Sequence, residues 1–188
     1  MRIILASQSP FRKYALDLLG LEYEVIPSDI DEKLIRDENP RIMVKNLSEA
    51  KAFSVAEKHK DAIIIASDAI VYVAGNIYEK PCDKEEAFEM LSNLSDSEFE
   101  FITGLTVFNS HNGKTLSTVQ SCQVKFRALL DYEIKDYIAK YPVLKCAGAF
   151  EFDGLLRFAE YVNGNYNFRT GLPVNELILF LRKQGVRV

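Results

Sequence analysis

Histidine is nearly absent from this chain: there are two, His59 and His111, in 188 residues. One falls at the end of an expected helix and the other in an expected hairpin turn, both usual places for solvated side chains. A mechanism built on an imidazole is therefore not expected. Cysteine is scarce as well. Cys82, Cys122 and Cys146 are widely spaced, odd in number and contain no CxxC pair, which argues against a disulfide framework or a zinc site. The expectation is reduced thiols in a cytoplasmic protein. No GxxxxGK[ST] phosphate loop, GxGxxG turn, GxSxG elbow or HExxH pair occurs. There is no internal repeat, no low-complexity tract and no linker rich in Gly, Ser or Pro. The first apolar run, ending at Ala6, is too short for a signal peptide or a membrane span, so no membrane partner is expected. A basic excess is missing too. Lys plus Arg is 23 against 27 for Asp plus Glu, a net charge of −4, which argues against a dedicated nucleic-acid binder.

What is present is the mix of an ordinary globular protein, 48% hydrophobic and 27% charged. Twelve Phe and nine Tyr supply enough large side chains for a core that needs no metal or disulfide, and residues 1–188 read as one domain. Strand and helix signals alternate. Ile3 to Ala6 is a short apolar strand, and Ser9-Pro10 has the form of an N-cap followed by proline at the first helical position. That helix should stop at Gly20. Tyr23 to Pro27 reads as a strand. Asn39-Pro40 repeats the cap-plus-proline signature and opens a long helix to about His59. Ala62 to Ser67 is a buried-type strand continuing to Val73, with a tight turn at Gly75-Asn76. Lys84 to Asn93 is a helix with Ala87, Met90 and Leu91 on one stripe. Glu100 to Asn109 and Thr115 to Arg127 flank an Asn112-Gly113 turn, a strong hairpin signal. Asp131 should cap a helix to Ala139, and Pro173 should begin a last helix ending before Gly185. Helices intermixed with strands and a long hairpin imply a mixed sheet, hence α/β or α+β.

Three places have the residue types for phosphate chemistry. The first is the strand-to-helix junction Leu5-Ala6-Ser7-Gln8-Ser9-Pro10-Phe11-Arg12-Lys13. Helix N-termini carry unpaired N–H groups and the positive end of the dipole. Hydroxyls at Ser7 and Ser9 with Arg12 and Lys13 nearby would cradle an oxyanion; the plainer reading is a cap followed by exposed basic residues. The second is Ser67-Asp68, where a strand tip offers a carboxylate to a metal or a water; the plainer reading is an acidic loop residue. The third is a pair of lysines. Lys51 lies in the long helix and Lys80 in a segment held extended by Pro81. Each is a point charge suited to polyphosphate, though most lysines are simply solvated. Asp29, Asp31 and Glu32 form an acidic knot of the kind that hard cations also use.

In this order the segments resemble the Maf family of nucleotide pyrophosphatases, over essentially the whole chain. The opening Leu5-Ala6-Ser7-Gln8-Ser9-Pro10-Phe11-Arg12-Lys13 matches that family's first motif. Asp31-Glu32, Ser48-Glu-Ala-Lys51-Ala, Ala66-Ser67-Asp68, Lys80-Pro81, Thr103-Gly104, Ala147-Gly148-Ala149-Phe150 and Gly171-Leu172-Pro173 follow in sequence. The chain is most similar to the 7-methyl-GTP pyrophosphatase branch, through Phe11, Cys146-Ala-Gly-Ala-Phe150 and Phe108-Asn-Ser-His-Asn-Gly113. It departs from that branch at Lys13, Ala69 and Asp153, where Arg, Gln and Glu are usual.

The resemblance implies a mixed β-sheet flanked by helices, in two lobes with a central cleft, like inosine triphosphate pyrophosphatase. It implies a metal-dependent hydrolase that converts a nucleoside triphosphate to the monophosphate and diphosphate. Asp68 would be the general base, or would orient the attacking water. Glu32 and Asp68 would hold a divalent metal, Mg²⁺ or Mn²⁺. Ser7, Ser9, Arg12, Lys13, Lys51 and Lys80 would bind the triphosphate, and Phe11, Ala69 and Asp153 would set base preference. An aromatic face at position 11 suits a methylated, cationic guanine. A homodimer is a further expectation of the family. Two alternatives remain open: a nucleotide-sensing or division-linked protein of the same fold, or a pyrophosphatase for another non-standard or pyrimidine triphosphate.

Overall fold

The computed structural model describes residues 1–165 and 169–188. Its regular elements are strands β1 (Arg2–Leu5), β2 (Glu24–Val25), β3 (Ala62–Val73), β4 (Asn76–Tyr78), β5 (Glu98–Asn109), β6 (Thr115–Phe126) and β7 (Ala159–Gly164). The helices are α1 (Pro10–Leu18), α2 (Pro40–Lys58), α3 (Lys84–Leu94), α4 (Asp131–Lys140), α5 (Phe152–Leu155) and α6 (Val174–Lys183). The strands form a seven-stranded sheet in the order β2-β1-β3-β5-β6-β7, with β4 pairing with β3. The pairs β1–β2 and β1–β3 are parallel, and β3–β4 and β6–β7 are antiparallel. The expected mixed α/β sheet flanked by helices is what the chain forms. No described helix is long and apolar enough to cross a membrane.

The contacts divide into two compact units. Unit 1 comprises Met1–Asp68, Thr103–Gln120 and Thr170–Val188. Side chains of successive strand residues point to opposite faces, and both faces of β1 and β3 are apolar here. Ile3, Leu5, Ile63 and Ile65 pack with Leu16 of α1 and Leu177, Phe180 and Leu181 of α6. Ile4, Ala62, Ile64 and Ala66 pack on the other face with Ala52, Val55 and Ala56 of α2. A strand buried on both sides reads as a continuous apolar run, which is why β1 and β3 are visible in the sequence. Unit 2 comprises Ala69–Ile102 and Ser121–Arg169. Its core gathers Phe99, Phe101, Phe126, Phe150 and Phe158 with Leu91 of α3 and Tyr137 of α4. Phe126 meets Phe99, Phe150 and Phe158 edge-on at 4.8 to 5.6 Å between ring centres, the geometry aromatic quadrupoles favour.

Two helix starts follow the expected caps, Ser9 for α1 and Asn39 for α2, each accepting from a first-turn amide; Asp83 caps α3 in the same way. Four expectations need correction. Asp131 is the first residue of α4 rather than its cap; the Glu133 carboxylate reaches back to the Leu130 amide at 3.1 Å and does the capping. The tight turn before β4 centres on Ala74-Gly75, both at positive φ, because Asn76 already pairs with Val73. The second strand shrinks to Glu24–Val25, the residues that find partners in Ile4 and Leu5. The first hairpin strand begins at Glu98 rather than Glu100.

Candidate active site

The site is built in unit 1, from the end of β1, the middle of β3 and the helices that flank them. Asp68, expected at a strand tip, stands instead halfway along β3, because the strand runs on to Val73. Along β3 the even positions Ala62, Ile64 and Ala66 face α2, and Asp68 continues that alternation. On α2 the buried stripe runs Val44, Leu47, Ser48, Lys51, Ala52, Val55 and Ala56, the spacing of one helical face. Ser48 and Lys51 are its polar members, so each must find a buried partner. Lys51 finds Asp68: its Nζ lies 2.5 Å from Asp68 Oδ1, with both side chains under one-tenth exposed. The same ammonium lies 3.0 Å from Glu32 Oε2, whose side chain is half exposed. Glu32 opens a short 3₁₀ turn, Glu32–Leu34, that Asp31 caps.

Arg12 stands in the first turn of α1. It is buried, donating from Nη1 to Ser7 Oγ at 3.1 Å and from Nε to the Gly171 carbonyl at 3.1 Å. Burial pushes the guanidinium down from its ordinary pKa, and the negative charges of Asp68 and then Glu32 hold it up. A guanidinium lowered in this way still keeps its proton at neutral pH. The Ser7 hydroxyl also accepts from the Ser9 amide at 3.2 Å, and Ser9 Oγ accepts from the Arg12 amide at 3.5 Å. Thus Ser7, Ser9 and Arg12 form one hydrogen-bonded knot at the N-terminus of α1. Phe11 and Lys13 flank it, both half-buried.

The residues brought together are therefore Ser7, Ser9, Arg12, Glu32, Lys51 and Asp68. Ala69 follows Asp68 directly in β3 and is half-buried. Lys80 and Asp153 belong to unit 2. Lys80 is exposed beside a hollow lined by Tyr78, Glu79, Glu86 and Glu89. Asp153 is exposed in α5, on a segment that Tyr137 holds by donating to the Glu151 carbonyl and accepting from its amide.

Two contributors stand out in the sequence only as letters of motifs. Gly171 sits at φ +58°, and its carbonyl accepts both Arg12 Nε and Ser67 Oγ, the latter at 2.8 Å. It ties the arginine to the residue before Asp68. Ser67 Oγ lies 2.6 Å from the Gly104 carbonyl as well, which ties the middle of β3 to β5. Ser48 is the other contributor. Its Oγ meets Thr106 Oγ1 at 2.8 Å; Thr106 meets Ser117 at 3.1 Å; and Ser117 donates to Glu49 at 2.8 Å. This chain of hydroxyls pins α2, one turn from Lys51, to β5 and β6.

Among the described residues no three of His, Cys, Asp and Glu cluster to hold a metal by themselves. Asp68 and Glu32 are two carboxylates converging on one positive charge. Magnesium is commonly held by one or two carboxylates, with water and substrate phosphate completing the shell. The donor set therefore fits a divalent cation whose remaining ligands come from outside the protein. Two cations, Arg12 and Lys51, against two anions leave the site near neutrality, so an added anion is not repelled.

A family model described as "Maf-like protein" matches residues 2–184. Among solved structures, the chain is similar to one described as the structure of the Staphylococcus aureus Ham1 protein. The TM-score is 0.57 and the identity 16%, over 98% of this chain and all of that one. At that identity the likeness is one of fold.

Proposed function

Since the chain belongs to the Maf-like protein family, we propose that it is a nucleotide pyrophosphatase that converts a nucleoside triphosphate to the monophosphate and diphosphate, with 7-methyl-GTP as preferred substrate. The observation that carries this reading is the buried ammonium of Lys51 between Asp68 and Glu32, with buried Arg12 within electrostatic reach of both carboxylates.

Hydrolysis of a phosphoanhydride asks little covalent work of a protein; it asks for positioning, charge neutralisation and an oriented water. Arg12, fixed by Ser7 and Gly171, presents a guanidinium whose orientation is set before substrate arrives, so little ordering is left to lose. Lys51 supplies a point charge for phosphate oxygens. Asp68 orients the attacking water and takes its proton as the bond between α and β phosphates opens. Glu32 and Asp68 would hold Mg²⁺ or Mn²⁺, which when bound neutralises phosphate oxygens and makes a coordinated water more acidic. Phe11 offers an aromatic face, which a methylated, positively charged guanine rewards more than plain guanine does.

The test is a panel of triphosphates, 7-methyl-GTP included, incubated with the chain and Mg²⁺ or Mn²⁺, with diphosphate and monophosphate measured. The highest kcat/KM is expected on 7-methyl-GTP, and Asp68→Asn should lower kcat by about 10²-fold or more. Diphosphate release from no nucleotide overturns the reading. Nucleotide binding without turnover would make the chain a sensor. Preference for another triphosphate would keep the reaction and replace the base.

A further inference from the structure

We infer that Lys51 is the resting occupant of the cation position between Asp68 and Glu32, so that a divalent cation enters only together with a polyphosphate that takes the ammonium over. This rests on the pyrophosphatase reading and adds to it an order of binding.

The geometry carries the first half. A magnesium or manganese ion bonds carboxylate oxygen at about 2.0–2.2 Å. Lys51 Nζ already stands within hydrogen-bond distance of one oxygen of each carboxylate, 2.5 Å from Asp68 and 3.0 Å from Glu32. An ion bonded to both oxygens and an ammonium bonded to both would claim the same space. Lys51 must leave these two oxygens before the ion can settle on them.

Charge carries the second half. With Arg12, Lys51, Asp68 and Glu32 the site holds two positive and two negative groups. A dication added alone would leave two uncompensated charges among side chains that are mostly buried, which low-dielectric surroundings resist. The ammonium cannot relieve this cheaply by turning to water, because its side chain is 8% exposed and its helix face is packed against β3. A polyphosphate resolves both difficulties. Its oxygens accept the ammonium that the carboxylates release, and its negative charge offsets the dication. The same lysine thus closes the cation position in the free chain and binds phosphate in the loaded one.

The experiment is Mn²⁺ binding to the full chain, followed by electron paramagnetic resonance. It is run without nucleotide and with a triphosphate whose α–β bridge is a non-hydrolysable methylene. Wild type should bind Mn²⁺ weakly alone, and with the analogue should bind more than the analogue does by itself. Lys51→Met, without nucleotide, should bind Mn²⁺ about thirty-fold more tightly than wild type or better. That is the repulsion a dication feels from a unit charge about 4 Å away even at the dielectric of water. Adding Asp68→Asn to Lys51→Met should remove the gain. Lys51→Gln serves the same purpose should the methionine variant not fold. Equal Mn²⁺ affinity in wild type and Lys51 variants without nucleotide overturns the inference, as does tight nucleotide-free binding by wild type alone. Failure of the pyrophosphatase reading is seen separately, in the release of no diphosphate by wild type while these Mn²⁺ differences hold.

Discussion

Gly104 approaches Val44 so closely that a Cβ on the glycine would lie 2.3 Å from the Val44 carbonyl oxygen. Helix α2 therefore rests directly on the backbone of β5, with no side chain between them. Lys51 projects from the same helix, two turns on, and its reach to Asp68 depends on that seating. Gly104→Ala should push α2 outward. We expect a loss of about 1–3 kcal/mol in stability, the usual cost of overpacking a tight contact. We also expect a fall in kcat/KM larger than one from a core substitution of equal instability in unit 2, such as Val124→Ala. Urea unfolding and initial rates on the two variants decide it. Equal activity in both at matched stability would mean that the seating of α2 does not govern Lys51.

Two threonines on β5 should answer the same substitution in opposite ways. Thr106 Oγ1 is buried and bridges Ser48 and Ser117, whereas Thr103 Oγ1 is buried with no hydrogen-bond partner among the described residues. Valine has nearly the shape of threonine without the hydroxyl. Thr106→Val removes the bridge but leaves Ser48 its bond to the Lys45 carbonyl and Ser117 its bond to Glu49, and should cost about 0.5–1.5 kcal/mol; Thr103→Val removes an unsatisfied group and should be neutral or stabilising. Thr106→Ser keeps the bridge and should recover part of the loss. The denaturation midpoint at unchanged slope reads all three.

Cys82 is exposed, yet its thiol is predicted to react slowly. Hydrogen bonding to the carboxylates of Glu86 and then Asp83 pushes its pKa up to about 11, and only the thiolate is nucleophilic. Burial pushes Cys122 and Cys146 up to about 12. Native protein at pH 8 should take up iodoacetamide at one site, more slowly than a free cysteine does. Glu86→Gln should speed it, because a neutral amide no longer disfavours the thiolate. Labelling of wild type at the free-cysteine rate would show that the carboxylates do not hold the thiol.

Much of this was legible along the chain, and the limits have physical causes. Strands β1 and β3 are buried on both faces and so appear as apolar runs. The caps Ser9-Pro10 and Asn39-Pro40 and the Asn112-Gly113 turn are local devices that act through near neighbours. Strand β7 is not legible in the sequence because Ala159–Gly164 is mostly exposed and shows no apolar alternation; what makes it a strand is pairing with β6. Asp68 and Lys51 could each be picked out as charged residues in apolar stretches. That they bond each other could not, because the register of α2 over β3 is set by contacts such as Gly104 on Val44, far away in sequence. Gly171 was visible as part of a motif, but the use of its carbonyl follows from where the fold brings residues 12 and 67.

Arg127 and Glu133 give a pH prediction in unit 2. The guanidinium donates to both carboxylate oxygens, at 2.9 and 2.6 Å, and the Leu130 amide adds a bond at 3.1 Å. Arg127 first, then Leu130, hold the Glu133 carboxyl down at about 2 from an ordinary 4.5. A folded-state pKa below the unfolded one means that the unfolded chain takes up the proton first as the solution is acidified. The stabilisation is therefore whole above the ordinary carboxylate range and is lost as pH falls from about 4.5 toward about 2. Glu133→Gln cannot ionise and lacks this dependence. It should be less stable than wild type at pH 7, and the gap between the two melting temperatures should narrow as pH is lowered through that window. A gap that stays constant from pH 7 to pH 3 would show that the pair adds nothing through its charge, leaving Glu133 as a neutral cap on α4.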